Sequence, residues 1–232
     1  MSRLASELER LFLTPGASTS PGPGPVRVLV LEVSRPAAWQ PLGDVWKGVQ
    51  ADLGLPAPAI AVNGVDGLQL WFSLAEAVDA SQGRALLEGL RQRYMADVPL
   101  NRVVMQIGPL PVPMPRAVEA QGPWSAFVAA DLAPLFEESP WLDMPPNEDG
   151  QAQLLVRTAS IQPAALKSAL QRLRGQPEAA DEDPAVDPQP DTRKPAHLAA
   201  TQFLLGVMED ETAPLALRVE AAKALLPYPM AR

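Results

Sequence analysis

Apolar residues recur along the first 175 positions with two different periods, and the switches between them divide the chain into elements. Ser2 to Leu13 places Leu4, Leu8, Leu11 and Phe12 at helical spacing with Glu7, Glu9 and Arg10 opposite, a short amphipathic helix. Val26 to Val33 is β-branched and almost continuously apolar, the pattern of a strand covered on both faces. Leu42, Val45, Trp46, Val49 and Leu53 then return at a helical interval, and Gly54 and Pro56 end that helix. From Ala59 to Leu74 two apolar runs meet across Asn63-Gly64-Val65-Asp66-Gly67, the composition of a hairpin turn that requires positive φ.

Asp79 and Gln82 make a capping-box pattern before a helix that buries Leu86, Leu87, Leu90 and Tyr94, and Arg102 to Ile107 reads as another strand. The predicted order is strand, helix, strand, strand, helix, strand. That is an α+β fold with a ferredoxin-like or RRM-like βαββαβ core, two helices on one sheet face and the other face left for ligand or further protein. Alternating Pro109, Pro111, Pro113 and Pro115 predict an extended spacer crossing the sheet. Beyond it the reading gives an added strand at Gly122 to Val128, a helical turn at Asp131 to Phe136, and Trp141 plugging the core from a proline-rich loop. Gln151 to Ile161 is expected as a helix, and Pro163 opens another through Leu166, Leu170 and Leu173.

The domain reading is an N-terminal helix (1–13), a linker (14–25), an α+β domain (26–174), an acidic disordered tether (175–195) and a tethered helical hairpin (196–232). The formal charge of -8 comes from 27 acidic residues against 19 basic, and six of the acids fall between Gln176 and Thr192. Without those six, 21 acidic residues face 19 basic, so the folded part is close to neutral and the overall charge says little about its partners. The chain has no cysteine, which excludes disulfides and thiolate metal sites and fits a cytoplasmic setting. No apolar run approaches the roughly 18 to 20 residues of a membrane span, so no membrane partner is expected.

Chemistry is sparse. His197 is the only histidine and stands where the tether meets the tail, and no nucleophile-elbow, Walker or dinucleotide motif is present. Glu32 is the sole acid in the predicted strands. It cannot supply alone the paired carboxylates of a glycosidase or a two-metal clamp, so neither a catalytic residue nor a metal ligand is assigned and no cofactor is expected. A carboxylate-dependent enzyme would need a second acid brought in by folding, with Asp66, Asp131 and Asp143 as candidates. Strand alternation puts Val30 and Glu32 on one face, and Gln69, Trp71 and Ser73 on one face. Glu32, Gln69, Trp71 and Ser73 are therefore the candidate binding residues of an open sheet face, with Trp71 either a base-stacking platform or covered by Pro109 to Val128.

A strand ending in a carboxylate, a helix, then Asn63-Gly64-x-x-Gly67-x-Gln69-x-Trp71-Phe72-x-Leu74 and a long helix resembles the catalytic core of the archaeo-eukaryotic primase superfamily. The resemblance runs from about Val26 to Ile107. It implies an RRM-like sheet, an Asp-x-Asp pair on the first strand and a Ser-Gly-x-Gly-x-His-like hairpin whose histidine touches nucleotide phosphate. Val30 and Glu32 stand at the Asp-x-Asp positions and Gln69 at that of the histidine, which implies a degenerate metal site. The tail from Leu217 to Tyr228 is similar to short helical modules in phage-derived proteins. Two functions remain open: a non-catalytic, primase-like accessory that binds single-stranded nucleic acid or nucleotide, and an adaptor that grips an unknown protein partner with its first helix and C-terminal hairpin.

Overall fold

The computed structural model describes residues 2–13, 25–108, 114–119 and 122–175. The linker, most of the alternating prolines, the acidic tether from residue 176 and the tail hairpin lie outside these residues.

Six strands form one antiparallel sheet. They are β1 (Val26–Ser34), β2 (Ala59–Val62), β3 (Gly67–Val78), β4 (Val103–Ile107), β5 (Arg116–Ala117) and β6 (Trp124–Val128), in the order β4-β1-β3-β2-β6-β5. Among the described residues five α-helices accompany them: α1 (Arg3–Phe12), α2 (Trp39–Ala51), α3 (Ala80–Tyr94), α4 (Glu148–Val156) and α5 (Pro163–Leu173). β1 lies between β3 and β4 and pairs with both, which is why its sequence is apolar at nearly every position. The hairpin joins β2 to β3 as its composition predicts, and the expected added strand is β6, which extends the sheet beside β2. The strands on either side of the proline-rich stretch, β4 and β5, stand at opposite edges.

Alternation along the strands divides the interior into two cores. Leu29, Leu31 and Val33 of β1 and Leu68, Leu70, Phe72 and Leu74 of β3 face one way, against Leu42, Val45 and Val49 of α2, Leu86, Leu87 and Leu90 of α3, and Leu166 and Ala169 of α5. Val28, Val30, Ala59, Ala61, Trp71 and Phe127 face the other way, against Leu4, Leu11 and Phe12 of α1 and Ala152 and Leu155 of α4. The sheet is thus sandwiched between helices. The apolar stripe of α1, open in the sequence to a partner, is spent on this chain's own sheet.

Several expectations are corrected. Asp79 is the N-cap of α3, but its side chain makes no capping hydrogen bond. The helix expected over Gln151 to Ile161 starts earlier, at Glu148, because the Asn147 side chain accepts from the Gly150 amide. It ends at Val156, and Ile161 bridges to Leu74 of β3 instead. Trp141 does not plug the core: it is half-buried and its indole N–H donates to Asp143 at 3.2 Å, while neighbouring Leu142 packs inward and bridges Trp124. Leu142 bridges β6 in extended backbone, where adjacent side chains point to opposite sides, so only one of the two faces inward.

α2, α3 and α5 meet at a polar junction. The Tyr94 hydroxyl donates to Asp52 at 2.9 Å, Arg93 approaches the same carboxylate at 3.3 Å, and Arg172 donates to the Asp52 carbonyl at 3.1 Å. Burial, then the hydrogen bond to Asp52, push the Tyr94 phenol up to about 12. A group whose pKa is raised on folding stabilises the fold fully below its unfolded value, near 10, and loses that contribution as pH climbs through the folded value. Urea midpoints measured across pH 9 to 12 are expected to fall more steeply for this protein than for a Tyr94→Phe variant, which has no phenol to ionise. The hairpin turn supplies a second test. Gly64 has φ +85°, and a Cβ there would lie 2.6 Å from Val118 Cγ2 and 2.8 Å from the Ser125 amide nitrogen. Backbone strain and the clash together predict that Gly64→Ala lowers unfolding free energy by about 2–4 kcal/mol in urea titration.

Candidate functional site

The register of β1 against β3 sets Glu32 opposite Gln69, Val30 opposite Trp71 and Val28 opposite Ser73. Directly opposed residues in an antiparallel pair share a face, so the four predicted site residues form one patch. Three of them also bond to one another. Gln69 Nε2 donates to Glu32 Oε2 at 2.5 Å, and Trp71 Nε1 donates to Gln69 Oε1 at 2.8 Å. Ser73 lies at the far end, its hydroxyl on the Leu11 carbonyl at 2.7 Å and 2.6 Å from the Ser160 hydroxyl.

Openness is the part of the expectation that fails. Glu32 is 7% exposed, Gln69 6%, Trp71 4% and Ser73 2%. α1 and α4 lie over this face with Met114, and Phe127 packs beside Trp71, so Trp71 is covered both by the N-terminal helix and by residues of the expected Pro109 to Val128 segment. A row of two valines, a tryptophan and two alanines is too apolar to be left in water, and the amphipathic α1 supplies the matching surface.

The hairpin turn completes the polar end of the patch. Asn63 Oδ1 accepts from the amides of Val65, Asp66 and Gly67 at 2.8, 2.9 and 3.0 Å, which locks the turn. Its Nδ2 donates to Glu32 Oε1 and to Asp66 Oδ1, both at 3.2 Å. Both Glu32 oxygens therefore accept from side-chain amides, the condition under which a carboxyl group can be buried at acceptable cost. Gly67 is required by this crowding: a Cβ would lie 2.7 Å from Asn63 Nδ2 and 2.9 Å from Glu32 Oε1. Beside them Ser34 Oγ is buried with no hydrogen-bond partner among the described residues.

Two aromatic rings missing from the sequence-based set join Trp71. Phe12 of α1 meets it edge-on at 5.2 Å between centroids, and Phe127 of β6 does so at 5.3 Å. Phe12 lies parallel to Phe127 at 6.1 Å. The signals for both were present, Phe12 in the apolar stripe of α1 and Phe127 in the alternation of Trp124 to Val128, but only the pairing of β6 with β2 brings Phe127 to Trp71. Asn63 was legible as a turn residue and not as a partner of Glu32.

The donor set does not fit the two-metal centre implied by the primase resemblance. Val30 offers hydrocarbon where a carboxylate is needed, Glu32 is engaged on both oxygens, and no three His, Cys, Asp or Glu side chains gather among the described residues. Of the three candidate second acids, Asp66 is drawn alongside Glu32 through Asn63, Asp143 is taken by Trp141, and Asp131 is exposed after β6. No helix among the described residues is long and apolar enough to cross a membrane.

No family model and no curated protein matches this chain. Among solved structures it is similar to the polymerase domain from Mycobacterium tuberculosis Ligase D in complex with DNA, at 18% identity and a TM-score of 0.35. The likeness covers 71% of this chain and 60% of that one.

Gln69 is the link between Glu32 and Trp71, and it can be tested as such. Gln69→Leu removes one donor from a buried carboxyl and leaves the Trp71 indole N–H unpaired. Unsatisfied buried groups cost about 1–3 kcal/mol each, so a loss of about 2–5 kcal/mol in guanidinium unfolding is expected. Gln69→Glu, which loses the donor to Glu32 and keeps an acceptor for the indole, is expected to destabilise more at pH 7 than at pH 4.

Proposed function

We propose that the sheet with α2 and α3 is a ferredoxin-like, primase-related core that does not perform nucleotidyl transfer and serves as an accessory module for single-stranded nucleic acid or nucleotide. Support for the core comes from the order β4-β1-β3-β2, with α2 between β1 and β2 and α3 between β3 and β4, which is the arrangement that the split βαβ motif requires. The observation that carries the non-catalytic reading is the state of Glu32. The one acid standing at a metal-ligand position of the resemblance is held on both oxygens by Asn63 and Gln69. A ligand carboxylate needs free lone pairs directed at the ion, and here they are directed at amides.

Binding is favoured over a purely structural role by what the same face holds. Trp71 and Phe127 offer stacking surface once α1 is off the face, and the Gln69 amide, held by Glu32 and Trp71 in the closed form, can then meet the polar edge of a base. The near-neutral charge of the chain outside residues 176–192 predicts modest affinity, dominated by stacking rather than by counterion release.

The experiment is an anisotropy titration of the full chain against fluorescein-labelled single-stranded DNA and RNA at low salt. Half-saturation in the micromolar to tens of micromolar range is expected, with a shallow dependence on salt. No change in anisotropy for either probe up to the highest soluble concentration would overturn the reading.

A further inference from the structure

We infer that α1 is a gate in cis over the nucleic-acid-binding face, with Phe12 occupying the place that a base takes when the helix lifts. The inference rests on the proposed binding function and names its regulation. Three observations carry it. Phe12 is the residue of α1 that enters the aromatic cluster, parallel to Phe127 at an interplanar angle of 10° and edge-on to Trp71. A flat ring seated against two aromatic side chains is the geometry by which single-stranded bases are held on sheet surfaces. The helix covers the face together with α4 and Met114, and it is Phe12 of α1 that lies parallel to a ring of the cluster.

The second observation is how α1 is attached. Its hold on the sheet is concentrated at its C-terminal end, where Ser73 donates to the Leu11 carbonyl and Arg27 donates to the carbonyls of Leu13 and Arg10 at 2.8 and 3.0 Å. Toward its N-terminus the side-chain link to the domain is Arg3 to Gln153 of α4 at 3.3 Å, with Leu4 buried beneath. The third observation is length. A helix of ten residues does not persist alone in water, so its order comes from docking. Burial of Leu4, Leu11 and Phe12 is opposed by the conformational entropy of ten ordered residues, a term of the same order, which makes local undocking far cheaper than global unfolding.

A ligand that needs the undocked form binds with an apparent affinity reduced by the fraction of molecules that are open. Covalent closure should then abolish binding. The natural chain has no cysteine, so Arg3→Cys with Gln153→Cys introduces the only two thiols, one on α1 and one on α4. Bridging them with a short, reducible bifunctional thiosulfonate locks the helix down in a protein that is already folded. The probe is fluorescein-labelled oligo(dT) of about 16 nucleotides, the upper end of the site size for a single small domain.

The locked protein is expected to bind at least tenfold more weakly than the same preparation after reduction with dithiothreitol. In the other direction, Leu4→Asp with Leu11→Asp, which loosens α1 while leaving the sheet residues intact, is expected to bind at least tenfold more tightly than the natural chain. Equal affinity before and after reduction would overturn the gate and leave the binding function standing. Absence of binding in the reduced, the loosened and the natural proteins would overturn the binding function itself. Should the loosened variant lose its circular dichroism signature, the lock and its reduction still decide the question.

Discussion

The antiparallel pairing of β1 with β3 is the constraint on which the other features depend. Its register, with Glu32 against Gln69 and Val30 against Trp71, assigns each side chain of the two longest strands to one face or the other. A slip of one residue would carry Leu29, Leu31 and Val33 to the face now holding Glu32 and would bury the carboxyl among the leucines of α2 and α3. The register is secured from two sides. The leucine rows hold it on one face and the Glu32-Gln69-Trp71 hydrogen bonds on the other, with Asn63 closing the turn at the end of the hairpin.

Because both faces of the sheet are apolar for most of their length, both must be covered. α2, α3 and α5 cover one, and α1 with α4 covers the other. The second cover changes the meaning of the polar patch. On an open sheet Glu32, Gln69, Trp71 and Ser73 would be solvated groups waiting for a ligand. Beneath α1, Glu32, Gln69 and Trp71 are a buried network closed by Asn63, with Ser73 held separately by Leu11 and Ser160, and the network sorts stability from function. Its bonds explain why the residues are there structurally, and its aromatic neighbours provide the surface on which a binding role is proposed.

Much of the architecture was legible because it follows from local rules. The nearly continuous apolar run of Val26 to Val33, the apolar runs on either side of the Asn-Gly turn, and the helical interval from Leu42 to Leu53 each point to one element, and those elements form. The misreadings fall where local signals are weak or compete. Gln151 to Ile161 carries no strong period, so the true start of α4 depends on the Asn147 cap and its end on the bridge of Ile161 to Leu74. Trp141 was given the core role in its proline-rich loop, and the neighbouring Leu142 takes it instead while the indole bonds to Asp143. The aromatic cluster was not legible as a unit, since Phe12, Trp71 and Phe127 are far apart in sequence and nothing in any of their segments names the others.

Sequence alone was sufficient to specify the periodic elements and which residues within β1 and within β3 share a face, because alternation and turn chemistry act over a few residues and do not depend on the rest of the chain. Tertiary structure alone decided that Glu32 meets Gln69 and that the pair lies in the interior. The physical reason is that burial of a sheet face is settled by which distant segment brings a matching apolar surface to it, and the stripe of α1, readable as docking on the chain's own core or on another protein, packs Leu4, Leu11 and Phe12 on Val28, Val30 and Trp71.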